Sequence, residues 1–406
     1  MTAPTLELQL AEGLAARPLL ELVPRLESRV AFEPLGVLPT PVEPLETLCG
    51  EQGLPGCEAW VKRDDVTSPV YGGNKVRTLE VLFGLAKSRG TTHIYSTGAF
   101  GSNHAVATVL HAPRAGLVPG VVLFPQPRSW AALENLRVVL ARHAVTRALP
   151  HWSALPLGML LSARLGRRRG ERLFIMVPGG ATPEGALGYV SAGLELALQV
   201  ARHELPAPQT VVVGVGSTCT SAGLLVGFEL AARRGIGFLD RAGQPNPPHL
   251  LSVRVTPWPV TSRWRILTLA ARTARLLAEL AGDPTLAFDA RTLAARFRVD
   301  GGYIGKGYGH ATPEGRAAMA LWHEHGRHEL DTTYSAKAAA AVLDLVKREP
   351  PAAPLVFWST KSSVPLPVVR ADDLRWAPPL MQRWIRRAER ELAKTGELPD
   401  GYDALG

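Results

Sequence analysis

Cysteine is scarce: Cys49, Cys57 and Cys219 are the only three in 406 residues. So few, so scattered, they exclude a disulfide framework and a thiolate zinc site, and no metal centre is expected. A reducing cytoplasm is the expected setting. Long apolar runs are missing too. The best candidate, 105–124, is broken by His111, Arg114 and two prolines, so no membrane span is expected. The N-terminus carries Glu7 and Glu12 and lacks a basic-then-apolar leader pattern. Aromatic residues are only 6% of the chain, and no basic face interleaves with them. The net charge of +9 therefore does not read as nucleic-acid binding. Most of the excess is dispersed arginine. One cluster, Arg164, Arg167, Arg168, Arg169 and Arg172, joins an apolar helical stretch to a strand-like run. It reads as a solvated connector, with an anion-binding patch as the alternative.

What remains is an ordinary globular composition, 46% hydrophobic and 20% charged, in a chain long enough for two domains. Short apolar runs predict strands over 93–97, 118–124, 173–177, 210–213, 250–255 and 355–358. Helical spacing predicts helices over 75–88, 103–115, 130–141, 184–203, 221–233, 263–280, 313–325 and 335–347. Strands separated by helices of this length imply parallel sheets covered on both faces. Ligands of such sheets gather at the carboxyl ends of the strands, so the strand-to-helix turns carry the chemistry.

Four turns draw the eye. Tyr71-Gly72-Gly73-Asn74-Lys75 ends at a helix start and follows Lys62-Arg63-Asp64-Asp65. Glycine and asparagine tolerate the backbone angles of a tight turn, and a lysine amine fixed there can form a Schiff base with an aldehyde cofactor. Gly98-Ala99-Phe100-Gly101-Ser102-Asn103-His104 opens another helix. Its free amides can meet an anion, or Ser102 or Asn103 can simply cap the helix. Gly214-Val215-Gly216-Ser217-Thr218-Cys219-Thr220-Ser221 mixes glycines and hydroxyls before a helix and suits a phosphate. It lacks the Gly-Lys-Ser/Thr ending of a Walker loop. Ser359-Thr360-Lys361-Ser362-Ser363 follows the last strand, where its hydroxyls serve either a ligand or the turn itself.

In this order, VKRDDVTSPVYGGNKVRTLE, STGAFGSNHAVAT, VPGGATPEGALGYVSAGLEL, YIGKGYGHATPEG and LDTTYSAKA resemble the D-cysteine desulfhydrase and 1-aminocyclopropane-1-carboxylate deaminase family. The resemblance runs from about Leu38 to Pro365. It implies pyridoxal 5'-phosphate as cofactor and the tryptophan-synthase-β-like fold (fold type II): two open parallel-sheet α/β domains with the cofactor in the cleft between them. The implied division is 1–77 with 182–380 as the large domain, 78–181 as an inserted small domain, and 381–406 as a charged helical extension. A homodimer in the cytoplasm and a small amino-acid substrate are implied as well, with no nucleic acid and no membrane.

Carried over by position, Lys75 would hold the cofactor through its amine, with Asn74 near the phenolic oxygen. Gly216, Ser217, Thr218, Cys219, Thr220 and Ser221 would bind the phosphate, and Thr360 the pyridine nitrogen. Ser102, Asn103 and His104 would meet the substrate, faced by Tyr308 and Tyr334. The expected reaction is β-elimination from a D-cysteine-like amino acid, giving a 2-oxo acid and ammonia. Cyclopropane ring opening and cofactor binding without turnover are the alternatives. Ser335, where the deaminase branch carries an acidic residue, leans toward the desulfhydrase type. Two departures stand out. Thr218 and Cys219 fall where the family usually has glycines, and Lys361 and Ser362 replace another glycine pair. Lys361 could occlude the site, touch the phosphate or point to solvent.

Overall fold

The structure, a computed structural model, describes residues 17–45, 58–142, 144–325, 328–348, 354–399 and 401–405. Cys49, Cys57, Glu7 and Glu12 lie outside the described residues. The strands are β1 Val42–Pro44, β2 Ala59–Arg63, β3 His93–Ala99, β4 Val118–Phe124, β5 Val145–Ala148, β6 Leu173–Ile175, β7 Thr210–Val215, β8 His249–Arg254, β9 Phe297–Asp300 and β10 Leu355–Ser359. They form a six-stranded sheet in the order β1-β2-β10-β7-β8-β9 and a four-stranded sheet in the order β5-β4-β3-β6. Every pairing is parallel except β1 with β2, an antiparallel edge that apolar spacing did not reveal. The principal helices are α1 Lys75–Ser88, α2 Asn103–His111, α3 Trp130–Ala141, α4 Leu155–Arg168, α5 Pro183–Ala201, α6 Cys219–Arg233, α7 Arg263–Ala281, α8 Pro313–Glu324, α9 Ser335–Arg348 and α10 Pro379–Thr395. Among the described residues no helix is long and apolar enough to cross a membrane.

Local chemistry explains where elements stop. The expected 103–115 helix breaks at His111 and continues as a 3₁₀ turn, Ala112–Ala115, because Pro113 supplies no N–H. α6 begins two residues earlier than expected, which puts Cys219, Thr220 and Ser221 in its first turn. The arginine cluster is exposed and joins α4 to β6, as a solvated connector would. Arg167 and Arg168 end α4, where cations favour the helix carboxyl terminus, and Arg169 pairs with Glu171 at 2.6 Å. α10 buries Met381, Trp384, Ile385, Ala388 and Leu392 in the core beside the smaller sheet, and Trp384 donates to the Gln126 carbonyl at 3.0 Å. Its charged face stays outside.

A buried ionic network anchors the large sheet. Lys62 stands in the middle of β2 with no exposure and donates to Glu195 of α5 at 2.5 Å. Arg77 of α1 binds Glu195 and Asp64, both at 2.8 Å. The Asp64 carboxylate also accepts from Tyr189 at 2.7 Å and from the Trp358 indole of β10 at 2.8 Å. Burial pushes the Glu195 carboxyl up, but the Arg77 and Lys62 charges outweigh it and hold it down at about 2. Such a network fixes geometry, because losing either partner strands a buried charge. One carboxylate thus ties together β10, α5 and α1 beside the turn that carries Lys75.

Candidate functional site

The Tyr71–Lys75 turn is fixed on every side. Gly73 has φ +89°, and a Cβ there would come 2.6 Å from the Thr360 carbonyl oxygen. The Gly73 amide donates to the Asp64 carbonyl at 2.8 Å, and the Asn74 amide to the Thr360 carbonyl at 2.9 Å. Gly72 donates to the Ser362 hydroxyl at 2.9 Å. The turn therefore delivers Lys75 at a set place, and its amine lies 3.3 Å from the Ser217 hydroxyl. Burial lowers the Lys75 pKa, so more of the amine is neutral and nucleophilic than on a free lysine.

The loop after β7 is shaped for an anion. α6 starts with no side-chain cap, which leaves the Cys219, Thr220 and Ser221 amides open. Thr218 sits at φ 70°, in the left-handed region, where a β-branched residue costs on the order of 1–3 kcal/mol. The Thr256 hydroxyl donates to the Gly216 carbonyl at 3.3 Å, and Thr261 donates to the same oxygen. Thr220 accepts from the Asn74 side chain at 3.0 Å, so its own hydroxyl proton remains free to donate. Two residues of this loop turn elsewhere. The Cys219 thiol contacts the Gly180 carbonyl at 3.4 Å, and burial pushes it up to about 11. The Ser221 hydroxyl pairs with Ser252 at 2.8 Å. Both residues still present their backbone amides at the start of α6.

Across the smaller sheet, Ser102 caps α2 by accepting from the Ala105 amide at 3.3 Å. The capping reading is thus met, while the Ser102 hydroxyl proton stays available. The Asn103 carbonyl accepts from Asn135 at 2.8 Å and from the Tyr71 phenol at 3.1 Å, which points its amide N–H groups outward. His104 is 1% exposed, and both ring nitrogens lack a partner. Burial, helped by the Lys75 charge, holds its pKa down at about 3, so the ring is neutral. A buried ring with neither nitrogen bonded calls for a ligand. On the opposite side the Tyr334 phenol donates to Tyr308 at 3.2 Å. A Cβ on Gly216 would come 3.0 Å from the Tyr334 ring, so that ring closes over the phosphate loop. Burial raises both tyrosines, and both stay protonated.

Sequence reading missed several contributors. Gly179 and Gly180 both take φ +68°, and a Cβ on Gly179 would fall 2.2 Å from Ser217 Cβ and 3.7 Å from the Lys75 amine. The paired glycines of VPGGATPEG were the available signal. Tyr71 and Asn135 hold Asn103, and no local pattern announces that. The Ser335 hydroxyl is held locally: it donates to the Asp331 carboxylate at 2.7 Å. Lys361 makes no bond to the phosphate-loop residues described. Its ammonium lies over the Tyr71 ring, 5.0 Å from the centroid, and donates to the phenol at 3.1 Å.

An aldehyde cofactor bearing one phosphate fits these residues. A desolvated amine, an open helix start, glycines that leave no room for a Cβ, and an orphaned imidazole converge on one space. Thr360, 5% exposed, has no hydrogen bond to its hydroxyl among the described residues and is free for a ring nitrogen. A Thr220→Val variant nearly conserves volume and tests the phosphate assignment. Losing one charge-assisted hydrogen bond costs about 1.5–3 kcal/mol, so cofactor affinity should fall roughly ten- to a hundredfold. An unchanged dissociation constant would remove Thr220 from the phosphate site.

Comparison with known proteins agrees with this fit. The chain is 33% identical over 310 residues to nocardicin C-9' epimerase of Nocardia uniformis subsp. tsuyamanensis, covering 75% of this chain and 85% of that one. It is 31% identical over 317 residues to D-cysteine desulfhydrase of Salmonella paratyphi C, covering 77% and 87%. A crystal structure of an ACC deaminase homologue superposes with a TM-score of 0.66 at 25% identity, covering 84% of this chain and 94% of the other. The pyridoxal-phosphate dependent enzyme family matches residues 34–360. The chain belongs to that family, with pyridoxal phosphate as its cofactor and fold type II as its architecture.

Proposed function

We propose that the protein is a lyase that eliminates the β-substituent of a small, D-cysteine-like amino acid. The observation that carries this reading is the protonated Tyr308–Tyr334 pair, 3.2 Å apart, with the Tyr334 ring against Gly216. An elimination needs a group that protonates a departing anion, and a buried phenol that keeps its proton at neutral pH is such a group. For D-cysteine the balance is one water consumed and pyruvate, ammonia and hydrogen sulfide released.

Each residue then has a task. Lys75 would hold the cofactor through its amine, Thr220 and the α6 amides would take the phosphate, and Thr360 would serve the pyridine nitrogen. The bound cofactor supplies an aldehyde that captures amines and a ring that withdraws electrons. Ser102, the outward Asn103 amide and His104 hold the substrate carboxylate at the start of α2. Lys75 would take the α-proton, with the Ser102 hydroxyl as the alternative base. Tyr334 would donate to the leaving group by turning its proton away from Tyr308, on which it rests in the structure. Because Ser335 is occupied with Asp331, its identity does not discriminate between elimination and ring opening. A cytoplasmic homodimer completes the proposal.

The test is an amino-acid panel with the purified holoenzyme. Pyruvate release from D-cysteine or a related β-substituted amino acid supports elimination. Exchange of the α-proton with solvent without pyruvate would replace it with epimerisation, the activity in the name of the Nocardia relative. Activity confined to 1-aminocyclopropane-1-carboxylate would install ring opening instead.

A further inference from the structure

Lys361 lies two residues past the end of β10 and departs from the glycine pair that the family resemblance leads one to expect. Its backbone lies against Gly73, whose Cβ position is 3.5 Å from the Lys361 carbonyl carbon. From there the side chain crosses the face of Tyr71 and ends on that phenol. The phenol passes the contact on to Asn103, in the carboxylate pocket. The ammonium is therefore part of the chamber wall.

Its charge has counter-charges nearby but none in contact. Among the described residues no carboxylate lies within ion-pair distance of Lys361. The nearby Asp331 is committed to the start of α9, accepting from the Thr333, Tyr334 and Ser335 amides at 2.8–3.0 Å. Burial raises the Glu134 carboxyl, and the Lys361 charge pulls against that rise. Burial also works against the Lys361 ammonium, yet the Tyr71 phenol and these two acids keep it protonated. A sheltered cation without an ion pair is costly unless a ligand completes it.

The α-carboxylate already has its own donors in Ser102, Asn103 and His104. Lys361 stands one phenol further out. We propose that Lys361, seated on Tyr71, selects amino acids whose side chain ends in a second negative charge, a carboxylate or comparable oxyanion. This rests on the amino-acid site proposed above, and it names the substrate class more narrowly.

The experiment measures equilibrium binding to the holoenzyme, so turnover is not required. Aspartate and asparagine, in both D and L forms, are nearly isosteric and differ in the side-chain charge. The wild type should bind one aspartate enantiomer about ten- to a hundredfold more tightly than the matching asparagine, the range of one charge-assisted bond. Lys361→Met should bring that ratio close to one, and Lys361→Arg should keep most of it. Equal affinities in the wild type overturn the proposal without any variant, as does a preference that survives in Lys361→Met. If aspartate is preferred through Lys361 and nothing is eliminated, the lyase reading fails and this one stands.

Discussion

Lys75→Ala should lose turnover almost completely, by about 10⁴-fold or more, at the upper end of what a positioned acid–base group contributes. The loss has two sources. The variant lacks the amine that anchors the cofactor and the base that reaches the α-proton. The turn itself should survive, because its bonds run through the Gly72, Gly73 and Asn74 backbone to Ser362, Asp64 and Thr360. Removing a desolvated amine also removes a group that burial disfavours, so thermal stability should not fall sharply. Borohydride reduction of the wild type, followed by peptide mapping, should place the pyridoxyl group on Lys75. A label on another lysine, or a variant with activity within tenfold of wild type, would sink the assignment.

Tyr334→Phe should slow pyruvate release by about 10²–10⁴-fold. The ring keeps its volume and its position over Gly216, so the phosphate loop stays covered. Only the hydroxyl disappears, and with it the bond to Tyr308. Washing of solvent deuterium into the α-position should suffer less, because Lys75 and Ser102, not Tyr334, are the groups proposed to move that proton. That split between proton exchange and product release separates a leaving-group acid from a merely structural phenol. Undiminished pyruvate release would take Tyr334 out of the mechanism.

Much of this was legible in the chain. Regular apolar spacing marked α1 and α3 to the residue, and the valine run Val211–Val213 marked β7. β2 was harder, since Lys62 breaks its apolar pattern and becomes intelligible only when Glu195, 133 positions later, is found beside it. The edge strands β1, β5 and β9 are short and half polar, and their pairing is set by neighbours rather than by their own residues. Among the site residues, Lys75 announced itself through its glycines. The sequence could not tell whether the hydroxyls of Ser102 and Ser221 face a ligand or the protein. Ser102 does cap its helix, while Ser221 spends its hydroxyl on Ser252. Tyr71 and Asn135 converge on Asn103 from separate segments, and only the folded chain brings them together.

The Asp64 carboxylate is anchored by β10, α5 and the first turn of α1, whereas Ser102, Asn103 and His104 follow β3 of the smaller sheet. The two halves of the chemistry thus have different mountings. Tilting one sheet against the other leaves the distance from Lys75 to the phosphate loop untouched and changes only the reach from Lys75 to the carboxylate pocket. The angle between the sheets works like the jaw setting of a vice. It fixes how large an amino acid can be gripped, while the grip on the cofactor is set elsewhere and stays constant.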